Sequence, residues 1–228
     1  MATPSSTSQA QRLVRGLYAI TPDQIDTAVL VSRVSHAIAS GISLLQYRNK
    51  AAGLRLRREQ AGAILPLCRE AGVTLIINDD LELALEIEAN GVHLGAEDGD
   101  IAAAREALGP RRLLGVSCYN RAGLARNAKK AGADYVAFGS IFPSPTKPGA
   151  VRAQLEMLSA VRKELGLPIV AIGGITHRNA AQVVTAGADA VAVISDLFDA
   201  PDIAERIEQF NSIFATHTAL VADADAGV

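Results

Sequence analysis

Residues 113–138, Leu-Leu-Gly-Val-Ser-Cys-Tyr-Asn-Arg-Ala-Gly-Leu-Ala-Arg-Asn-Ala-Lys-Lys-Ala-Gly-Ala-Asp-Tyr-Val-Ala-Phe, set the pattern for the whole chain. Leu113–Ser117 is a short apolar run ending in a hydroxyl, which suits a strand buried on both faces. Ala122–Ala131 is Ala-rich and helix-prone, with Asn120 placed as its N-cap. Tyr135–Phe138 is a second buried strand. The same alternation predicts strands at Leu17–Thr21, Ile42–Tyr47, Thr74–Ile77, Gly91–Leu94, Ile169–Ile172 and Ala190–Ile194. Helices are expected over Ile101–Leu108 and Ala180–Ala186, with Asp100 and Thr176 as caps and Gly72, Gly109 and Gly187 as stops. Eight strands, each followed by a helix, within roughly 200 residues predict a single (β/α)8 TIM barrel. A doubly wound open sheet competes, but no strand leads into the Gly-x-Gly-x-x-Gly turn of that class.

The barrel is expected over residues 16–214. Residues 1–15 and 215–228 read as tails without structure, the first Ser/Thr/Gln-rich and lacking the apolar stretch of a secretory signal. The 228 residues, 49% hydrophobic, suffice for one large core. A net charge of −2 with both signs interspersed makes neither nucleic acid nor a membrane the expected partner. Cys68 and Cys118 are too few for a disulfide framework and fit no metal spacing, which suits a reducing, cytoplasmic setting. Assembly into a homo-oligomer stays open.

In such a barrel, chemistry gathers at the C-terminal ends of the strands. Gln46-Tyr47-Arg48-Asn49-Lys50 closes the run that begins at Ile42. By alternation Ile42, Leu44, Gln46 and Arg48 share a face, and Lys50 can follow. An amide and two cations with no acid beside them in the chain suit a multiply charged oxyanion such as diphosphate, the competing reading being a strand edge where Arg48 and Lys50 are simply hydrated. Asn78 and Asp79 follow the third strand, His93, Glu97 and Asp98 the fourth. Asp79 and Asp98 are the candidate ligands of Mg²⁺, a cation that takes one or two carboxylates together with substrate phosphates. Helix capping is the competing role for both, and for Asp80. His93, between Val92 and Leu94, faces the interior if those two pack outward. There it could meet a ligand or orient Asp98. Ser117 ends the fifth strand. Ser144-Pro145-Thr146-Lys147, after the sixth, offers hydroxyls and a mobile cation as a lid. Gly174 after the seventh strand, with Ile194 and Ser195 after the eighth, occupies the usual phosphate position, with Thr176 opening a helix beside it. Two anion sites are therefore expected across one mouth: a diphosphate at Arg48, Lys50, Lys147 and the metal, and a monophosphate at Gly174 and Ser195. His36, His177 and His217 have no convergent partners and receive no role.

In order and spacing these pieces resemble the thiamine-phosphate synthase family over about residues 16–210. The carrying motifs are Gln46–Lys50, Ile77-Asn-Asp79, Gly91–Gly95 with Glu97-Asp98, Gly115-Val-Ser117, Phe142–Lys147 and Ala171–Ile175. The resemblance implies a transferase of thiamine biosynthesis that joins hydroxymethylpyrimidine diphosphate to a thiazole phosphate and releases diphosphate. It implies that Gln46, Arg48, Lys50, Asn78, Ser117 and Lys147 hold the pyrimidine diphosphate, within the segment Gln46 to Lys50 that also carries Tyr47 and Asn49. Ser144, Pro145, Thr146, Gly174, Ile194 and Ser195 would hold the thiazole phosphate, and Asp79 and Asp98 the Mg²⁺. Arg48, Lys50, Ser117 and Lys147 are the expected catalytic set. Asp80, Ala96 and Ser144 depart from common choices in the family, and Asp80 adds an acid near the metal. A thiazole tautomerase-like barrel or a non-catalytic phosphate-binding barrel would need neither the acid pair nor Lys50 and Lys147. An epimerase barrel would call for a pair of carboxylates poised as acid and base and usually for metal-binding histidines, of which this chain offers only His93 inside.

Overall fold

The computed structural model describes residues 6–95, 99–143 and 151–226. The strands are β1 (Gly16–Ile20), β2 (Leu44–Tyr47), β3 (Thr74–Asn78), β4 (Gly91–Gly95), β5 (Leu113–Ser117), β6 (Tyr135–Phe138), β7 (Ile169–Ile172) and β8 (Ala190–Val193). Between them run α2 (Thr27–Ala39), α3 (Leu54–Ala71), α4 (Leu81–Glu86), α5 (Ile101–Leu108), α6 (Ala122–Lys130), α7 (Leu155–Leu165) and α8 (Ala180–Thr185). Helix α1 (Ser6–Leu13) precedes β1, and α9 (Ser195–Phe198) and α10 (Ile203–Ala226) follow β8. Each strand pairs in parallel with the next, and β1 pairs with β8, Leu17 opposite Val191. The sheet is closed, so the fold is the (β/α)8 barrel and the open sheet is excluded.

Alternation along the strands sorts side chains into two layers. Tyr18, Ile20, Leu44, Ile76, Leu113, Tyr135 and Val170 fill the barrel. Leu17, Leu45, Tyr47, Ile77, Val92, Leu114 and Val136 pack outward beneath the helices. Ile42 was expected beside Leu44, yet it belongs to the outer layer, because β2 and its pleat begin only at Leu44. Asp100 caps α5 as expected, accepting from Ala102 and Ala103 N–H at 2.9 and 3.1 Å. Asn120 and Thr176 do not cap. Arg121 and Asn179 hold those positions, and Thr176 instead donates its N–H to Asn179 Oδ1 at 2.8 Å.

The reading of both termini as structureless is corrected for the described residues. Ala10 and Val14, fully buried, and the partly buried Leu13 pack on the inner layer beneath Tyr18 and Leu113. The floor of the barrel is apolar and gains from being covered, which fixes α1 there. At the other end Ile203, Ile207 and Phe210 dock α10, which continues to Ala226, and from Ala215 to Leu220 its side chains are mostly exposed. No described helix is long and apolar enough to cross a membrane.

Candidate active site

Where β2 ends, the Gln46–Lys50 motif splits between two faces. Gln46 is buried in the barrel and donates its amide N–H to Tyr18 OH at 3.0 Å. Tyr47, 1% exposed, points the other way and donates to Gln60 Oε1 of α3 at 2.9 Å. Asn49 is buried as well, its Nδ2 donating to Gln24 O and Gln60 Oε1 at 2.6 and 3.0 Å. Tyr47 OH and Asn49 Nδ2 are thus tied to α3 and the loop after β1, which makes both residues part of the scaffold at this strand end.

The expectation that Arg48 and Lys50 have no acid beside them is also corrected. Asp23, in the loop after β1, accepts from Arg48 Nη1 at 3.0 Å and from the Lys50 backbone N–H at 2.7 Å. Thr21 secures the same turn, its Oγ1 donating to Arg48 O and accepting from Arg48 N–H. Lys50 Nζ reaches to 3.5 Å from Asp79 Oδ2, so the cation after β2 and the acid after β3 do meet. Asp79 sits in the left-handed region, φ 58°, with its N–H donating to His93 O at 2.8 Å. A non-glycine residue held there is strained and overdetermined by its surroundings. Asp80 turns away from it: it caps α4 through Leu83 N–H at 3.0 Å and pairs with Arg57 at 3.3 Å. The extra acid is therefore spent on the helix.

Lys50, Arg57, Asn78, Asp79 and Asp80 line a cavity of about 230 Å³ together with Tyr47 and Asn49. Among the described residues, Asn49 Oδ1 and Arg57 Nε are buried without a hydrogen-bond partner, and both residues line this cavity. A polar occupant would gain where an unpaired buried group otherwise costs about 1–3 kcal/mol. Around the rim Arg48, Lys50 and Arg57 are matched by Asp23, Asp79 and Asp80. With those charges balanced, a diphosphate needs further positive charge. No cluster of three or more metal-binding side chains exists among the described residues, and Asp98 lies outside them. One fixed carboxylate beside a neutral rim fits a divalent ion carried largely by phosphate oxygens.

Inside the barrel runs a chain the sequence reading did not find. Tyr18 OH lies 2.9 Å from Tyr135 OH, which lies 3.1 Å from His93 Nδ1; His93 Nε2 lies 2.8 Å from Ser117 Oγ. Gln46 already donates to Tyr18, so passing one proton along each link leaves His93 accepting at Nδ1 and donating at Nε2. Burial drives the His93 pKa down to about 4, opposed only by the Asp79 charge, so the ring is neutral. Burial likewise raises the pKa of both tyrosines. His93 therefore faces inward as expected, and it holds Ser117. Gly115 makes this possible, because a Cβ there would strike the Tyr135 ring.

On the opposite side, Gly174 has φ 64° and a Cβ on it would run into Pro143 O and Phe142. Phe142 N–H donates to Gly173 O at 2.9 Å, stitching the loop after β6 to that after β7. Asn179 Nδ2 donates to Gly174 O at 3.0 Å. Ser195, exposed, opens α9 directly after Ile194. Ser144, Pro145, Thr146 and Lys147 lie outside the described residues, as does Ala96.

The match to known proteins follows the same residues. The family model described as thiamine monophosphate synthase covers residues 17–197. The chain belongs to the thiamine monophosphate synthase family. It is 57% identical over 201 residues to the thiamine-phosphate synthase of Aromatoleum aromaticum, spanning 88% of this chain and 97% of that one. It is likewise 57% identical to the thiamine-phosphate synthase of Methylobacillus flagellatus, spanning 88% and 96%. Among solved structures, the thiamine phosphate pyrophosphorylase of Pyrococcus furiosus superposes with a TM-score of 0.79 at 34% identity, covering 91% of this chain and 98% of that one. The Lys50–Asp79 approach and the Gly174–Ser195 side both lie just past the C-terminal ends of barrel strands.

Proposed function

We propose that the protein is a thiamine-phosphate synthase, joining 4-amino-2-methyl-5-hydroxymethylpyrimidine diphosphate to hydroxyethylthiazole phosphate with release of diphosphate. The observation that carries this reading is the 3.5 Å approach of Lys50 to Asp79, which brings the cationic and acidic strand ends to one cavity. Gln46, Asn78 and Ser117 would orient the pyrimidine diphosphate, and Arg48, Lys50 and Lys147 its leaving oxygens. Gly174, Ile194 and Ser195, with Ser144 and Thr146, would hold the thiazole phosphate. Asp79 and Asp98 would hold Mg²⁺, which when bound supplies charge that stabilises the departing diphosphate.

The chain offers no poised nucleophile or base in the described mouth: His93 is neutral and committed on both ring nitrogens. That inventory suits a dissociative path. Fixed cations stabilise the leaving group, the electron-rich ring carries the resulting positive charge, and the second substrate is held in line to capture it. Diphosphate release measured with each component withheld in turn tests this. Release is expected only when both substrates and Mg²⁺ are present. No turnover with all three would overturn the reading, and so would full-rate release without the thiazole phosphate.

A further inference from the structure

Asp196, in α9, joins three segments far apart in sequence. Its Oδ2 accepts from His177 N–H at 2.9 Å and lies 3.2 Å from His177 Nδ1. Its Oδ1 is 2.6 Å from Arg206 Nη1, and the same nitrogen donates to the Asp196 carbonyl at 2.6 Å. His177 stands three residues past Gly174, and Arg206 lies in the first turn of α10. The three side chains are only 15–22% exposed. This is not the freely solvated type of surface bridge that contributes almost nothing. A four-residue helix cannot sustain itself, because nucleation costs more than one turn returns. At its far end Arg33 of α2 donates to Phe198 O at 2.6 Å. The helix that begins with Ser195 is thus gripped at both ends by arginines from other helices.

We propose that Asp196, Arg206 and His177 form a positioning assembly that sets the spacing between Gly174 and Ile194–Ser195, and with it the affinity for the thiazole phosphate. This rests on the reading that those residues hold the phosphate. The carboxylate follows Ser195 directly, where a free negative charge would repel a bound anion. Arg206 therefore both anchors α9 and neutralises Asp196, while the His177 N–H ties the loop after β7 to the same oxygen. None of the three needs to touch the substrate.

Steady-state kinetics in both substrates, with calorimetric binding of the thiazole phosphate to the free enzyme, separates this from a purely structural role. Arg206→Ala is expected to raise KM and Kd for the thiazole phosphate about tenfold, the size of losing a charge-assisted hydrogen bond. KM for the pyrimidine diphosphate should stay within about twofold, and Arg206→Lys should recover part of the loss. If Arg206→Ala does not fold, Arg206→Gln and Arg206→Lys carry the same comparison. A lowered melting temperature with both KM values unchanged, or both raised alike, overturns the proposal. Gly174→Ala serves as the control for the site itself. If it weakens thiazole phosphate binding while the Arg206 variants do not, the assembly is refuted and the site reading stands. If it changes neither constant, the site reading fails and takes the assembly with it.

Discussion

On the β2–β5 side of the mouth, side chains are held by other side chains: Asp23 binds Arg48 and the turn at Lys50, and a buried run from Gln46 to Ser117 crosses the barrel. On the β7–β8 side it is backbone that is held, set by a left-handed glycine and pinned by Asn179 and Asp196. The first arrangement is organised around a buried neutral histidine, the second around a left-handed glycine braced by Asp196 and Arg206. A change on one side should therefore alter binding there and leave the constants of the other side nearly unmoved.

The largest effect is expected at Asp79. Asp79→Ala should lower turnover about a hundredfold, the scale of losing one fixed transition-state contact, roughly 3 kcal/mol. A diphosphate-release assay reads this, and circular dichroism should show the fold unchanged. A near-wild-type rate would remove Asp79 from the chemistry.

His93 links charge to stability. Its folded pKa, about 4, lies below the ordinary 6.5, so the unfolded chain takes up the proton first. The stability from its neutral burial is complete above about pH 6.5 and drains as pH falls towards 4, by at most on the order of 3 kcal/mol. Melting temperatures measured across that window should fall for the parent and flatten for His93→Gln.

Gly115→Ala should push Tyr135 off His93, with an overpacking cost of about 1–3 kcal/mol. Melting should drop by several degrees, and turnover should fall as Ser117 loses its anchor. Smallest is Asp23→Ala. The Arg48 bond is partly exposed, so about 1 kcal/mol, a fewfold rise in KM for the pyrimidine diphosphate, is expected, with KM for the thiazole phosphate unmoved.

The strands were legible because burial on both faces writes continuous apolar runs, and their polar endings fell at one end as expected. Asp23 was not, since it approaches Arg48 only when β1 and β2 pair, 25 residues apart in sequence. Tyr18 and Tyr135 sit within strand bodies and read as ordinary core. Only the layer assignment, with Gly115 facing the ring, reveals them as polar links. The cap that Asp80 forms on α4 was legible as an alternative, but its pairing with Arg57 was not, since sequence spacing does not bring the two together. Helix α1 escaped notice because its packing rests on Ala10 and Leu13, with Val14 just beyond its end, in a polar stretch, and its value comes from the barrel floor.

That floor has a practical side. The barrel is bottomed by a segment from outside the strand-and-helix repeat, much as a stopper closes a tube without being part of its wall. Any replacement leader presenting small oily groups one turn apart could seal it. Solubility and heat tolerance could then be tuned from the N-terminus while the catalytic rim, at the opposite end, goes untouched.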